Sequence, residues 1–411
     1  MNLLKKQITF LHCADLHLDS PFKGLSNIPS NILADIREST FAALTNLTNL
    51  AIEKKVDFVL LVGDIFDQEE QSMRAHIALR KSLEQLNSHD INVYISFGNH
   101  DFINSQAFPR NYPDNVFVFE KEKVEAFNFV KDNQKLAKIY GFSYEERAVT
   151  ENKALQFQKT EEPIHHIATL HGTVGNVKTE EHVPYAPFQL SDLKQSGFDY
   201  WALGHIHKRN VLSEKPAVVY PGNIQGRSMK ESGEKGCYLV TLSETEQQLD
   251  FHQLHSIRFE KCMISTEEWT DINRALEEIE KTIAEYSSGK QVIELQLTRV
   301  STTVQEWISN GSFDEMLDII NQSVETKEWT YISGYKWQKN QQRSEWLQDG
   351  GFLQELAQTF SKKEDLADML AELWQHPEGR KWLDKLEEED LDMTRVESEQ
   401  LLDHLLHVKG G

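Results

Sequence analysis

The sequence predicts an α/β fold: a layered sheet core flanked by helices, followed by a small α+β unit and a helical tail. Three observations lead there. Short, nearly continuous apolar runs alternate with helical spacing through the first 260 residues, as expected of strands buried on both faces. Strand and helix patterns then mix more tightly to about residue 340, and from about 350 the spacing is helical throughout.

The core elements follow in order. Strands are expected at 8–14, 57–63, 93–97, 136–142, 166–171, 199–205, 217–221, 236–242 and 249–257. Phe41, Leu44, Leu47 and Ala51 mark one helix between the early strands, and Leu79, Leu83 and Leu86 mark another. The later strands crowd together, which suggests antiparallel pairing. In the second unit, RFEKCMIS reads as a strand, and Trp269, Ile272, Leu276, Ile279 and Ile283 step by three and four as a helix does. Residues 291–300 alternate as a strand, a helix is expected around 313–324, and a strand around 328–337. In the tail, Leu353, Leu356 and Phe360, then Leu366, Met369, Leu370, Leu373 and Trp374, lie at helical spacing up to Pro377. Leu401, Leu402, Leu405 and Leu406 form a last stripe. The resulting division is 1–258, 259–340 and 341–411.

Composition narrows the function classes. The chain has 411 residues, 39% of them hydrophobic, enough for two or three domains with real cores. No run approaches the 18 or so apolar residues of a membrane span, and MNLLKKQITFLHC lacks a signal-peptide pattern. Cys13, Cys237 and Cys262 are too widely spaced for a disulfide framework or a CxxC zinc site. A cytoplasmic, membrane-free protein is the expectation. The net charge of −22, with 17 acidic against 8 basic residues in 341–411, argues mildly against a free-standing nucleic-acid binder. It leaves room for a nuclease whose metals meet the phosphates.

The strand ends carry the chemistry. Ala14-Asp15-Leu16-His17 follows the first strand, and Gly63-Asp64-Ile65-Phe66-Asp67 follows the second. Gly98-Asn99-His100-Asp101 follows the third, and two later strands end in His171-Gly172 and Gly204-His205-Ile206-His207. Each alone passes for a polar turn or a packed histidine. Five together, at the carboxyl ends where α/β sheets place their sites, point to converging donors. Carboxylate, imidazole and amide oxygen suit Mn, Fe, Zn or Mg. Two ions about 3.5–4 Å apart need a shared carboxylate, for which Asp64 is the natural choice. Asp15, His17 and His207 complete one ion's set, and Asn99, His171 and His205 the other's.

These motifs, in this order, resemble the calcineurin-like metallophosphoesterase superfamily. HCADLHLDSPF, GDIFD and PGNIQGRSMKESGEKGCYLV resemble its SbcD-type DNA repair nucleases, and among them the YhaO-like bacterial branch. Phosphoprotein phosphatases usually continue the second motif with Asp-Arg-Gly, which GDIFDQEE does not. The resemblance implies the same metal ligands, Mn2+ as the usual metal, and a His100 that meets the scissile phosphate rather than a metal, oriented by Asp67. It also implies that 259–340 caps the site. The partners it implies are DNA, a second copy of the chain, and an SbcC-like coiled-coil ATPase docked by the helical tail. A metal-dependent DNA exonuclease in repair is the reading. A phosphoesterase acting on a nucleotide or phosphoprotein, and a non-catalytic scaffold subunit of an ATPase complex, are the rivals.

Other residues have plainer expectations. His12 reads as a buried, hydrogen-bonded histidine, His165 and His166 as structural or solvated, and Cys13 as core. Lys208, Arg209, Arg227 and Lys230 are either surface charges or a basic rim for phosphate. Asp101 has no assigned role beyond a cap or a loop hydrogen bond.

Overall fold

The computed structural model describes residues 5–22, 28–67, 71–105, 111–175, 185–286, 289–322, 328–337 and 363–376, with 391, 394, 395 and 398 besides. The chain opens with β1 (Ile8–Ala14), α1 (Ser30–Lys54), β2 (Phe58–Val62), α2 (Met73–Asn87), β3 (Asn92–Ser96) and β4 (Val116–Val118). It continues with β5 (Glu125–Lys131), β6 (Gln134–Gly141), β7 (His165–His171), α3 (Leu190–Gln195), β8 (Tyr200–Gly204), β9 (Asn210–Glu214) and β10 (Ala217–Tyr220). Two strands, β11 (Gly236–Leu242) and β12 (Gln247–Gln253), return the chain to the first sheet.

These strands form two six-stranded sheets, ordered β12-β11-β1-β2-β3-β4 and β5-β6-β7-β8-β10-β9. They share one apolar layer in which Phe10, Phe58, Leu60 and Val62 meet Ile139, Ile167, Tyr200 and Ala202. The outer face of the first sheet is covered by Leu44, Leu47 and Ala51 of α1 and by Leu79, Leu83 and Leu86 of α2. Every residue of β2, β7 and β8 is buried. The strands therefore read as continuous apolar runs because both of their faces are covered.

Some expectations change. Strands β11 and β12 pair antiparallel, but β7, β8 and β10 run parallel despite their crowding. Strands β4, β5 and β9 were not expected from the sequence. Three-residue β4 edges the first sheet; β5 and β9 are the two edges of the second, and their partly exposed, charge-bearing patterns suit edges that must avoid further pairing.

The second unit comprises β13 (Ile257–Ser265), α4 (Ile272–Tyr286), β14 (Lys290–Thr298), α5 (Thr302–Ser309), α6 (Ser312–Gln322) and β15 (Thr330–Trp337). Its three strands are all parallel. Trp269 lies ahead of α4, buried against Phe313. Helix α5 is eight residues long, too short to announce itself by periodicity. Ile257, Phe259, Val292 and Trp329 pack on Ile32 and Ile36 of α1. Asp35 accepts from Lys290 Nζ at 2.6 Å and Trp329 Nε1 at 2.8 Å across the same seam.

Helix α7 (Lys363–Gln375) carries Leu366, Met369, Leu370, Leu373 and Trp374; Met369 and Leu373 are exposed. The Leu353–Phe360 and Leu401–Leu406 stripes lie outside the described residues. Among the described residues no helix is long and apolar enough to cross a membrane.

Candidate metal centre

Strands β1, β2, β3, β7 and β8 deliver their carboxyl ends to one place. Asp15 directly follows β1, and Asp64 lies two residues beyond β2. Both take left-handed backbone, with φ of 52° and 48°, and so does His205 at 94°. That conformation is uncommon outside glycine and worth attention where it recurs at a site. Gly98 is required by crowding: a Cβ there would sit 2.7 Å from His171 Nε2 and closer still to Asp64 Oδ1.

Two donor groups result. Asp15, His17 and His207 form one, and Asp64, His171 and His205 the other, each with its ligand atoms within 4.8 Å of one another. In the second group, Asn99 Oδ1 lies 3.0 Å from His171 Nε2 and 3.2 Å from His205 Nδ1. Asp64 Oδ2 stands between the groups, 3.3 Å from His171 Nε2 and 4.0 Å from His17 Nε2. In the first group the two Nε2 atoms of His17 and His207 face each other at 3.0 Å. Ligands of one octahedral ion at about 2.1 Å lie about 3 Å apart, so this donor spacing suits a shared cation.

Burial and charge agree with that fit. Asp15 and Asp64 are each only 1% exposed, and two buried carboxylates need compensating positive charge. Burial lifts Asp15 above the ordinary carboxylate range, against the pull of His171 and His207. Burial would also raise Asp64, but His171, His100 and His17 outweigh it and hold its carboxyl well below that range. Burial lowers His17 to about 3, helped by Arg227, and lowers His205 to about 3, helped by His171. Both are therefore neutral imidazoles at neutral pH, the form a metal requires. For His171, burial is overcome by Asp64 and Asp15, and the ring is raised to about 9.

The far nitrogens fix the rings. His171 Nδ1 donates to Val62 O at 3.2 Å, which turns Nε2 toward the centre. His100 stands beside the centre with its ring edge-on to His17. Its backbone N–H donates to Asp64 Oδ1 at 3.0 Å, and its Nδ1 donates to Asp67 O at 2.7 Å. Asp67 thus contacts His100 through its main-chain carbonyl. Its carboxylate instead accepts from Arg227 Nη1 at 2.5 Å. It also lies 3.3 Å from His17 Nδ1 without the alignment of a hydrogen bond, so that buried nitrogen has no hydrogen-bond partner among the described residues.

Several residues take places the sequence left open. Asp101 is fully buried and accepts three backbone N–H groups: Gly98 at 2.7 Å on Oδ1, and Ile65 at 2.7 Å and Phe66 at 3.2 Å on Oδ2. It clamps the loop after β3 to the loop after β2, and so sets Asn99 against Asp64. Arg227 is partly buried and paired with Asp67 and Glu231. Glu231 is a residue the sequence reading missed, because nothing nearby in the chain marks it as a partner of His207. Lys208 and Arg209 are exposed. His12 is buried, bonded to Tyr200 Oη and Leu203 O. His165 and His166 are buried and bonded to backbone carbonyls of Lys6 and Glu162. Cys13 lies in the core.

Residues 8–209 match the family described as calcineurin-like phosphoesterase. The chain is 36% identical to the uncharacterized metallophosphoesterase YhaO of Bacillus subtilis (strain 168) over 410 residues, covering 98% of both. It is 25% identical over 255 residues to the DNA double-strand break repair protein Mre11 of Sulfolobus acidocaldarius, covering 57% of this chain and 60% of that one. The protein of the same name from Sulfurisphaera tokodaii is 26% identical over 250 residues, covering 57% of this chain and 59% of that one.

Proposed function

The chain belongs to the calcineurin-like phosphoesterases, and from that premise we propose that it is a two-metal DNA nuclease, an exonuclease of DNA repair that works with Mn2+. One observation carries the two-metal part: a single Asp64 oxygen lies 3.3 Å from His171 Nε2 in one donor group and 4.0 Å from His17 Nε2 in the other. Asp64 would be shared by both ions, Asp15, His17 and His207 would hold the outer one, and Asn99, His171 and His205 would hold the inner one.

A pair of divalent ions supplies an acidified water and neutralises phosphoryl oxygens. The chain's own groups do the rest. A carbonyl can only accept, so His100 Nδ1 carries its proton toward Asp67 O. Nε2 is then the nitrogen free to reach the phosphoryl group, and it must itself carry a proton, as imidazolium, to give one to the departing oxygen. Asp67 orients His100 through that carbonyl while its carboxylate pairs with Arg227.

The choice of DNA as substrate draws on the motif resemblance and on the distant likeness to proteins named for double-strand break repair. Exposed Lys208 and Arg209, next along the chain from His207, offer local positive charge within an acidic whole. The same reading makes 259–340 a cap and the chain a cytoplasmic homodimer. It pairs that dimer with an SbcC-like coiled-coil ATPase through 341–411. Purified protein with Mn2+ is tested on labelled single- and double-stranded DNA and on a small generic phosphodiester. Release of nucleotides from DNA ends, abolished by chelation, is expected. Cleavage of the small diester with intact DNA would replace the nuclease reading by a small-substrate phosphoesterase.

A further inference from the structure

The loop between β10 and β11 enters no sequence motif of the centre, yet it reaches the centre from the side of the second unit. Its Gln225 donates from Nε2 to Ile257 O at 2.7 Å and accepts from Ser256 N at 2.9 Å. Gly233 N donates to Phe259 O at 2.8 Å. Strand β13 thus anchors the loop at both ends. Between these anchors lie Arg227 and the short turn Met229–Glu231.

Glu231 is bonded on both oxygens. Oε2 accepts from Asn223 Nδ2 at 2.7 Å and from Arg227 N at 2.8 Å. Oε1 accepts from Arg227 Nη2 at 2.9 Å and faces His207 Nδ1 at 2.7 Å. Both oxygens thus already accept from donors, the Arg227 guanidinium among them, so Glu231 is placed to accept a further hydrogen bond from His207 Nδ1–H. Arg227 Nη2 also approaches His207 Nδ1, at 3.2 Å. That guanidinium is already engaged by Glu231 and Asp67, and the shorter contact is the one to the carboxylate.

We propose that Glu231, held in place by Arg227, is the positioning residue of the outer metal site: it accepts a hydrogen bond from His207 Nδ1–H and so turns the Nε2 lone pair toward the ion that His17 and Asp15 would share. The inference rests on the two-metal reading. Carboxylates behind ligating histidines act in this way, and their loss typically weakens metal binding about 10–100-fold. Through Gln225 and Gly233 the outer site is also tied to the second unit, whereas among the described residues His171 and His205 have no such link.

Two measurements on the full chain test this. In metal-free protein labelled with 15N-histidine, His207→Ala assigns the ring signals. Wild type is expected to show a protonated Nδ1 and an unprotonated Nε2, with Glu231→Ala mixing the two tautomers. A wild-type His207 whose Nδ1 is unprotonated, accepting from Arg227, overturns the proposal, and this readout needs neither metal nor the alanine variant. In Mn2+ titrations, wild type is expected to bind two ions, and His207→Ala marks the outer one. Glu231→Ala should weaken that equivalent roughly 10–100-fold while leaving the inner one unchanged, and Glu231→Gln, which keeps an acceptor oxygen, should recover much of the loss. Two ions bound by Glu231→Ala with wild-type affinities would overturn the role of Glu231 alone. Fewer than two ions in wild type would remove the two-metal reading itself.

Discussion

His171 and His207 face the same centre, but their far nitrogens find different supports. His171 Nδ1 is held by Val62 O, a carbonyl fixed in the first sheet. His207 Nδ1 is held by Glu231, a side chain 24 residues away on a loop anchored to the second unit. The inner group is thus positioned by backbone, by crowding around Gly98 and by the Asp101 clamp within the same motif. The outer group depends on a charge relay through Glu231, Arg227 and Asp67, and Arg227 and Asp67 are separated by 160 residues. A backbone-held ligand is as stable as the sheet. A side-chain-held ligand can be lost by one substitution far from the metal motifs.

That contrast can be broken or sharpened by variants of graded effect. His100 belongs to neither half, since it bonds to Asp64 through its backbone and to Asp67 O through its ring. His100→Ala is expected to keep both ions and slow turnover by roughly 10²–10⁴-fold. A loss of metal as large as that of His205→Ala would make His100 a ligand. Gly98→Ala attacks the inner half, because the added methyl overlaps Asp64 and His171. Inner-ion affinity should fall by roughly 10²-fold, the upper end for a disturbed ligand shell, while the Glu231–His207 pairing persists. Unchanged Mn2+ titration curves would show that this half is not set by close packing.

Asp101→Asn removes an acceptor for one of three buried N–H groups. It is expected to lower stability by about 1–3 kcal/mol in chemical denaturation, with the inner ion also weakened. A neutral result would mean the clamp is redundant.

An effect visible only in acid lies beneath the centre, where His12 of β1 bonds to Tyr200 Oη and Leu203 O of β8 and so joins the two sheets. Burial lowers His12 from 6.5 to about 3. The folded protein keeps this ring neutral while the unfolded chain protonates it below about 6.5. Its stabilising contribution is therefore complete above that pH and is lost as pH falls toward 3, with a slope approaching about 1.4 kcal/mol per pH unit. Urea midpoints of chelator-treated protein should fall less steeply with acid in His12→Gln. Equal slopes would count against a neutral His12.

The same contrast explains what the sequence made legible. Asp15, Asp64, Asn99, His171 and His205 stand at or just beyond the ends of buried, largely apolar runs, so their convergence follows from strands whose carboxyl ends must meet. Strand β5 and strand β9 hid because edge strands are polar. The pairing of β7, β8 and β10 was misjudged because crowding in sequence does not distinguish a hairpin from a short crossover. Glu231, Arg227 and the clamp made by Asp101 were illegible for another reason: each acts on a residue that only the folded chain brings near. Asp67 was legible as a neighbour of His100, but not the atom it uses.

The central claim is that Asp64 joins two metal sites in one centre. Mn2+ bound per chain, measured by equilibrium dialysis and elemental analysis in wild type and Asp64→Ala, tests it most directly. The account predicts two ions in wild type, loss of tight binding of both in Asp64→Ala, and hydrolysis falling to background. Retention of either ion at wild-type affinity in that variant would contradict a shared carboxylate, and with it the two-metal centre.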